Sequence, residues 1–126
     1  TVPFANEYKK AMQKGQKVIV CPGTNGGALV FKKEIGLDLS DPEIIVSETS
    51  TLPYACRIQR PGEVHIYHKL KDGLFIASLP SSENEGVYQL FKQVYPGSKP
   101  SKNVLEQFQN CIKRKERRPS RIIISG

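Results

Sequence analysis

Tryptophan is absent from this chain, methionine occurs once, histidine twice and cysteine three times. No apolar run is longer than a handful of residues; the stretches at 18–21 and 122–124 fall far short of the roughly 20 needed to cross a bilayer. The opening TVPFANEYKK has neither the basic start nor the apolar core of a signal peptide. A cytoplasmic location without membrane contact is the expectation. Three cysteines, Cys21, Cys56 and Cys111, are odd in number and match no metal-ligand spacing, which excludes a full disulfide framework and leaves no metal site to assign. His65 and His68, three apart in a strand-like run, face opposite sides and form neither a metal pair nor a dyad. The chain contains no G-x-G-x-x-G fingerprint, no Gly-Lys-Ser/Thr phosphate loop and no serine on a nucleophile elbow. No catalytic residue can be assigned.

What is present is an ordinary globular composition, with 38% hydrophobic and 25% charged residues over 126 positions, enough for one domain. The net charge of +7 is unevenly spread. Residues 112–126 carry six basic side chains against one acidic, while residues 1–111 are close to neutral. A basic end of this kind either attracts nucleic acid or is simply solvated. Nucleic-acid binding is not the expectation.

Local pattern gives the order of elements. Phe4, Ala5, Tyr8, Ala11 and Met12 make a helical stripe over residues 4–14, closed by Gly15, and Thr1-Val2-Pro3 ahead of it reads as the end of a strand. Residues 17–21 are short, β-branched and apolar, as a strand covered on both faces would be, with Cys21 buried in it. Pro22-Gly23 ends that strand. A helix then runs from Gly26 or Gly27 to Ile35, with Gly36 as its cap, and a second strand lies within residues 43–49. Helix and strand alternating in short steps predict a parallel α/β sheet.

After Pro53 the rhythm changes to three short strands, at 55–59, 63–70 and 74–79, with turns at Pro61-Gly62 and Asp72-Gly73. The Asp-Gly turn predicts that the second and third form a hairpin. A helix at 86–94, a loop at 96–100 and a final helix at 103–115 complete the chain. The fold class is therefore α/β: two or three parallel strands with helices, a short antiparallel strand extension and a C-terminal helix.

Two runs stand out chemically. The first is KVIVCPGTNGGALVFKKEI at 17–35, where glycines after a strand either let backbone N–H groups approach a ligand or merely punctuate the passage from strand to helix. The second is SETSTLPYACRI at 47–58. Within it Thr51 is either a ligand-facing hydroxyl or a turn residue, and Cys56 either lines a cleft or packs in the core. Glu48 and Arg57 either pair with each other or face solvent. Both runs are expected side by side at the carboxyl rim of neighbouring parallel strands.

Those two runs, with the opening Thr1-Val2-Pro3 and the segment 64–80 ending in a small residue, Leu and Pro, resemble the opine dehydrogenase family over about residues 1–106. The resemblance implies that residues 1–111 are the back half of a Rossmann-like NAD(P)-binding domain, with 112–126 a divergent tail. It implies reductive condensation of a 2-oxo acid with an amino acid, using NAD or NADP as cofactor. By the same resemblance Gly23, Asn25 and Gly26 lie near the nicotinamide and oxo acid, Pro3 where the cofactor passes, and Thr51 and Cys56 on the amino-acid side. Two departures accompany it. The glycine fingerprint is not among these residues, and the family's acid/base histidine has no counterpart beyond Asn103-Val104-Leu105-Glu106. The expectation is a truncated form without independent activity, self-associating through an exposed sheet edge; the alternative is a degenerate, non-enzymatic interaction domain.

Overall fold

The computed structural model describes residues 1–23, 26–70 and 72–107. Its centre is a four-stranded sheet in the order β1 (Lys17–Val20), β2 (Ile45–Thr49), β5 (Leu74–Leu79), β6 (Ser98–Pro100). β1 runs parallel to β2, β2 antiparallel to β5, and β5 parallel to β6. A separate two-stranded sheet pairs β3 (Tyr54–Arg60) with β4 (Glu63–Lys69). Helices cover both faces of the larger sheet: α1 (Val2–Lys9) and α2 (Gly27–Glu34) on one, α3 (Asn84–Val94) on the other.

The period of two in β2 explains this layering. Val46 joins Ala5, Ala28, Phe31 and Ala77 in the core under α1 and α2. Ile45 joins Ile76, Val87 and Phe91 in the core under α3. Every residue of β2 is buried, as a central strand with helices on both sides requires. Gly36, at φ +84°, closes α2: its N–H bonds the Lys33 carbonyl and that of Leu37 reaches the Lys32 carbonyl. These two bonds satisfy carbonyls that the helix end would otherwise leave bare.

Lys32 is fully buried on α2 without a carboxylate in hydrogen-bond reach among the described residues. Its Nζ donates to the backbone carbonyls of Asp41 and Leu79, tying α2 to the loop before β2 and to the end of β5. Burial pulls its pKa below the usual lysine value, with Asp41 and Asp38 opposing.

The mixed sheet and flanking helices bear out the α/β class, and helical backbone recurs at residues 104–107. Several local expectations are corrected. Val2 and Pro3 are the first turn of α1, not a strand end; proline tolerates that position because the N–H there has no helical partner. α1 stops at Lys9, five residues short of the stripe's end. β1 is an edge strand rather than a covered one, so Ile19 is 39% exposed and Cys21 is exposed just beyond it. Residues 98–100, read as loop, add a short parallel edge strand.

The hairpin is also reassigned. The strand at 63–69 pairs with the one before it, through a turn in which Gly62 takes φ +80°. The strand at 74–79 instead enters the main sheet, because Leu74, Ile76, Ala77 and Ser78 need cover on both faces and only a central position supplies it. The β3–β4 arm is exposed almost throughout, His65 and His68 included. The part of the final helix beyond 107, Cys111 and the basic tail at 112–126 lie outside the described residues. Among the described residues no helix is long and apolar enough to cross a membrane.

Candidate functional site

In parallel α/β units, ligands gather beyond the carboxyl ends of the strands, where the chain turns into the following helix. β1 and β2 end together here. The backbone N–H of Gly23, just past β1, donates to the carbonyl of Thr49, the last residue of β2, at 3.0 Å. That bond brings the start of the glycine-rich run against the start of the second run. Gly27 N–H in turn donates to the Gly23 carbonyl at 2.8 Å, folding the turn back on itself before α2 begins.

Glu48 sits at the centre of this rim. It is 1% exposed, on the same face of β2 as Val46, and points under the turn. Its Oε2 accepts the N–H of Ala28 at 2.9 Å. α2 has no side-chain cap of its own, since its N-cap is Gly26 at φ +83°, so the neighbouring strand provides one. Gly23 lies so close that a Cβ there would stand 2.2 Å from the Cβ of Glu48 and 2.7 Å from its Oε2. The glycine is needed so that this side chain can pass beneath the turn. Burial pushes the Glu48 carboxyl up to about 7, against the lowering effect of the Ala28 N–H. A carboxyl group poised near neutrality can hold or release a proton under ordinary conditions.

Beside the rim, along the free edge of β1, runs an open groove of about 430 Å³ lined by Thr1, Phe4, Ile19, Val20, Cys21 and Pro22. Its walls are mostly apolar, and Phe4 is 78% exposed to it and to solvent. On the other flank Tyr95 stacks against Tyr54 and Phe91. Burial raises the Tyr95 phenol, followed by the nearby Tyr54 and Cys21. Cys21 lines the groove and lies within electrostatic reach of Tyr95.

The residues singled out from sequence fall in three places. Gly23 and Gly26 are buried in the turn itself. Thr51 is half-buried next to it, and its carbonyl accepts the Thr49 hydroxyl at 3.0 Å. Pro3 is exposed on the first turn of α1, two residues from Thr1, whose hydroxyl approaches Gly27. Cys56 is not brought in: it is exposed on β3, opposite Ile66. Asn25 lies outside the described residues. The pairing of Glu48 with Arg57 is corrected, because Glu48 turns inward to Ala28 while Arg57 stays exposed on the arm. Gln107 is a further residue that pattern did not mark. It is buried at the end of β2 and its Nε2 donates to the Glu48 carbonyl at 3.2 Å.

This geometry sorts the parts of a dinucleotide. The N-terminus of α2 does not fit a pyrophosphate, because the Glu48 carboxylate already occupies the Ala28 N–H and would repel a second anion. The groove at the β1 edge, at about 430 Å³, has room for a flat ring.

Over 94 residues the chain is 34% identical to an opine dehydrogenase of Arthrobacter sp. (strain 1C), a stretch covering 75% of this chain and 26% of that protein. The link to the opine dehydrogenases holds at the level of the family. A solved structure of octopine dehydrogenase, described with NADH and L-arginine, shares the fold with a TM-score of 0.65 at 17% identity. That match covers 84% of this chain and 27% of the other. The chain therefore spans about a quarter of the length of each of these relatives. No family model matches it.

Proposed function

We propose that these residues form the nicotinamide-side wall of an opine-dehydrogenase-type oxidoreductase. In the reaction, a 2-oxo acid and the amino group of an amino acid lose water to form an imine. The imine carbon takes a hydride from NADH or NADPH and its nitrogen ends with a proton, giving a secondary amine and the oxidised cofactor. The observation that carries this reading is the 34% identity, together with the Gly23–Thr49 bond that joins the two family-like runs at one rim. On this reading the ring would lie against Gly23, Gly26 and the β1 groove, with Pro3 along the cofactor's path. Asn25 would serve the oxo acid, while Thr51 and Cys56 would serve the amino acid.

The 126 residues contain no glycine fingerprint, and at the start of α2 the Ala28 N–H is already taken by Glu48. Affinity for the cofactor should therefore be weak, and turnover by these residues alone absent. Quenching of reduced-cofactor fluorescence, and its oxidation in the presence of an amino acid and a 2-oxo acid, test both points. Binding in the millimolar range without turnover is expected. No binding of either cofactor at that level would overturn the reading in favour of a non-enzymatic interaction domain. Turnover would overturn the proposed lack of independent activity.

The same reading includes self-association. β1 leaves one line of backbone donors and acceptors unpaired by the sheet, next to exposed Ile19 and Phe4. Such an edge recruits another strand. Light scattering should show mass rising with concentration, and Ile19→Lys should suppress the rise; a mass fixed at the monomer throughout would contradict it.

A further inference from the structure

Glu48 has a second consequence, and it concerns the shape of the turn rather than a ligand. The side chain reaches α2 from another strand, across 20 residues of sequence, and makes one hydrogen bond there, to Ala28. Gly23 rests directly on it, and a Cβ at Gly27 would come within 3.8 Å of its Oε2. The turn is thus draped over a single carboxyl group. We propose that Glu48 is the positioning residue of the glycine-rich turn, and that its charge state sets how firmly Gly23 and residues 26–28 are held against the rim. The inference deepens the proposed function, since that turn is the wall assigned to the nicotinamide. Its test, however, needs no ligand.

Among the described residues Glu48 acts alone. Opposite it β1 presents Val20 and β5 presents Ala77, neither of which titrates. On α2 the nearest charged group is Lys32, one turn on, and its Nζ is engaged by the carbonyls of Asp41 and Leu79. Gln107 is neutral and touches the Glu48 backbone oxygen. Cys21 closes β1 at the edge of the turn, and Thr1 lies beyond Gly27.

When Glu48 is ionised, its bond to Ala28 is charge-assisted and favoured by the positive end of the helix dipole, but the cost of burying the charge under the turn outweighs that gain, so ionisation loosens the turn. When it is neutral, the bond is an ordinary one but no charge is buried, and the turn is clamped. The two forms exchange near neutral pH, where burial has placed the group. Any ligand held by Gly23 and residues 26–28 would then meet a firmer wall in mild acid than in mild alkali.

The experiment is a pH titration of the ligand-free chain by NMR, following the Ala28 amide and the Glu48 side-chain carboxyl carbon. Both should move in one step with a shared midpoint near neutrality. The Ala28 step should vanish in Glu48→Gln and persist in Cys21→Ser. An Ala28 amide that stays flat from about pH 5 to pH 9 while the fold persists would overturn the proposal. So would an unchanged step in Glu48→Gln. If that variant does not fold, the two signals of the unaltered chain still decide the matter: different midpoints refute the coupling. Failure here refutes the clamp alone, because cofactor binding is measured separately.

Discussion

Raising the pH from about 4 to about 8 is expected to cost the unaltered chain about 3 kcal/mol of stability that Glu48→Gln does not lose. The folded carboxyl titrates at about 7, above the usual carboxylate value of 4.5, because burial disfavours its charge. Between those two values the folded state binds more protons than the unfolded one, so stability falls as pH rises. The contribution is complete below the unfolded value and gone once pH has passed the folded one. Gln at the same position keeps an oxygen for the Ala28 N–H and nearly the same volume, but has nothing to titrate. Titrations elsewhere in the molecule are common to both chains and cancel in the comparison. Urea unfolding at several pH values measures it: the two stability curves should diverge through neutrality, and parallel curves would refute the burial of a titrating Glu48.

Gly23→Ala is expected to cost about 3 kcal/mol, at the upper end of the range for overpacking. The new methyl would meet the Cβ of Glu48, which is rooted in a strand paired on both sides, so neither partner can step aside. Only glycine at position 48 removes that Cβ, so Gly23→Ala combined with Glu48→Gly should cost less than the two single changes added together. Gly86→Ala is the contrast. That glycine lies inside α3 with open space around it, and the exchange should stabilise the chain by about 0.5 to 1 kcal/mol. Thermal or chemical unfolding of the four variants separates these cases, and equal effects at Gly23 and Gly86 would contradict the packing described.

The part of the fold legible in sequence is the part governed by neighbours along the chain. Short β-branched runs ending at Pro22-Gly23 and at Thr49 gave β1 and β2 their places, and Gly36 marked the end of α2. What local pattern misjudged was decided by distant partners. Asp72-Gly73 has the chemistry of a hairpin turn, yet the apolar demand of Leu74, Ile76 and Ala77 on two faces carries that strand into the main sheet beside β2. Cys21 looked buried because an edge strand and a central strand have the same composition over five residues.

The site was half legible. The two family-like runs do meet at Gly23 and Thr49, but Cys56 departs with the arm, whose strands fold back on each other. In sequence Glu48 reads as a partner of Arg57 or a solvent-facing charge, because a lone carboxylate in a strand carries no sign of its direction. A signal did exist. Two residues after Val46, Glu48 shares its core-facing side, and the glycines at 23 and 27 are small where the helix and sheet must close over something.

The rim where β1 and β2 end together, beside Gly23 and residues 26–28, is the proposed ligand-binding edge of this chain. Its most direct test is an amide NMR map recorded while reduced nicotinamide cofactor is added at millimolar levels. The account predicts that Gly23, Gly26, Gly27, Ala28 and Thr51 shift together and saturably, with the β3–β4 arm beyond Cys56 little affected. Shifts confined to that arm or to α3, or none at all, would contradict it.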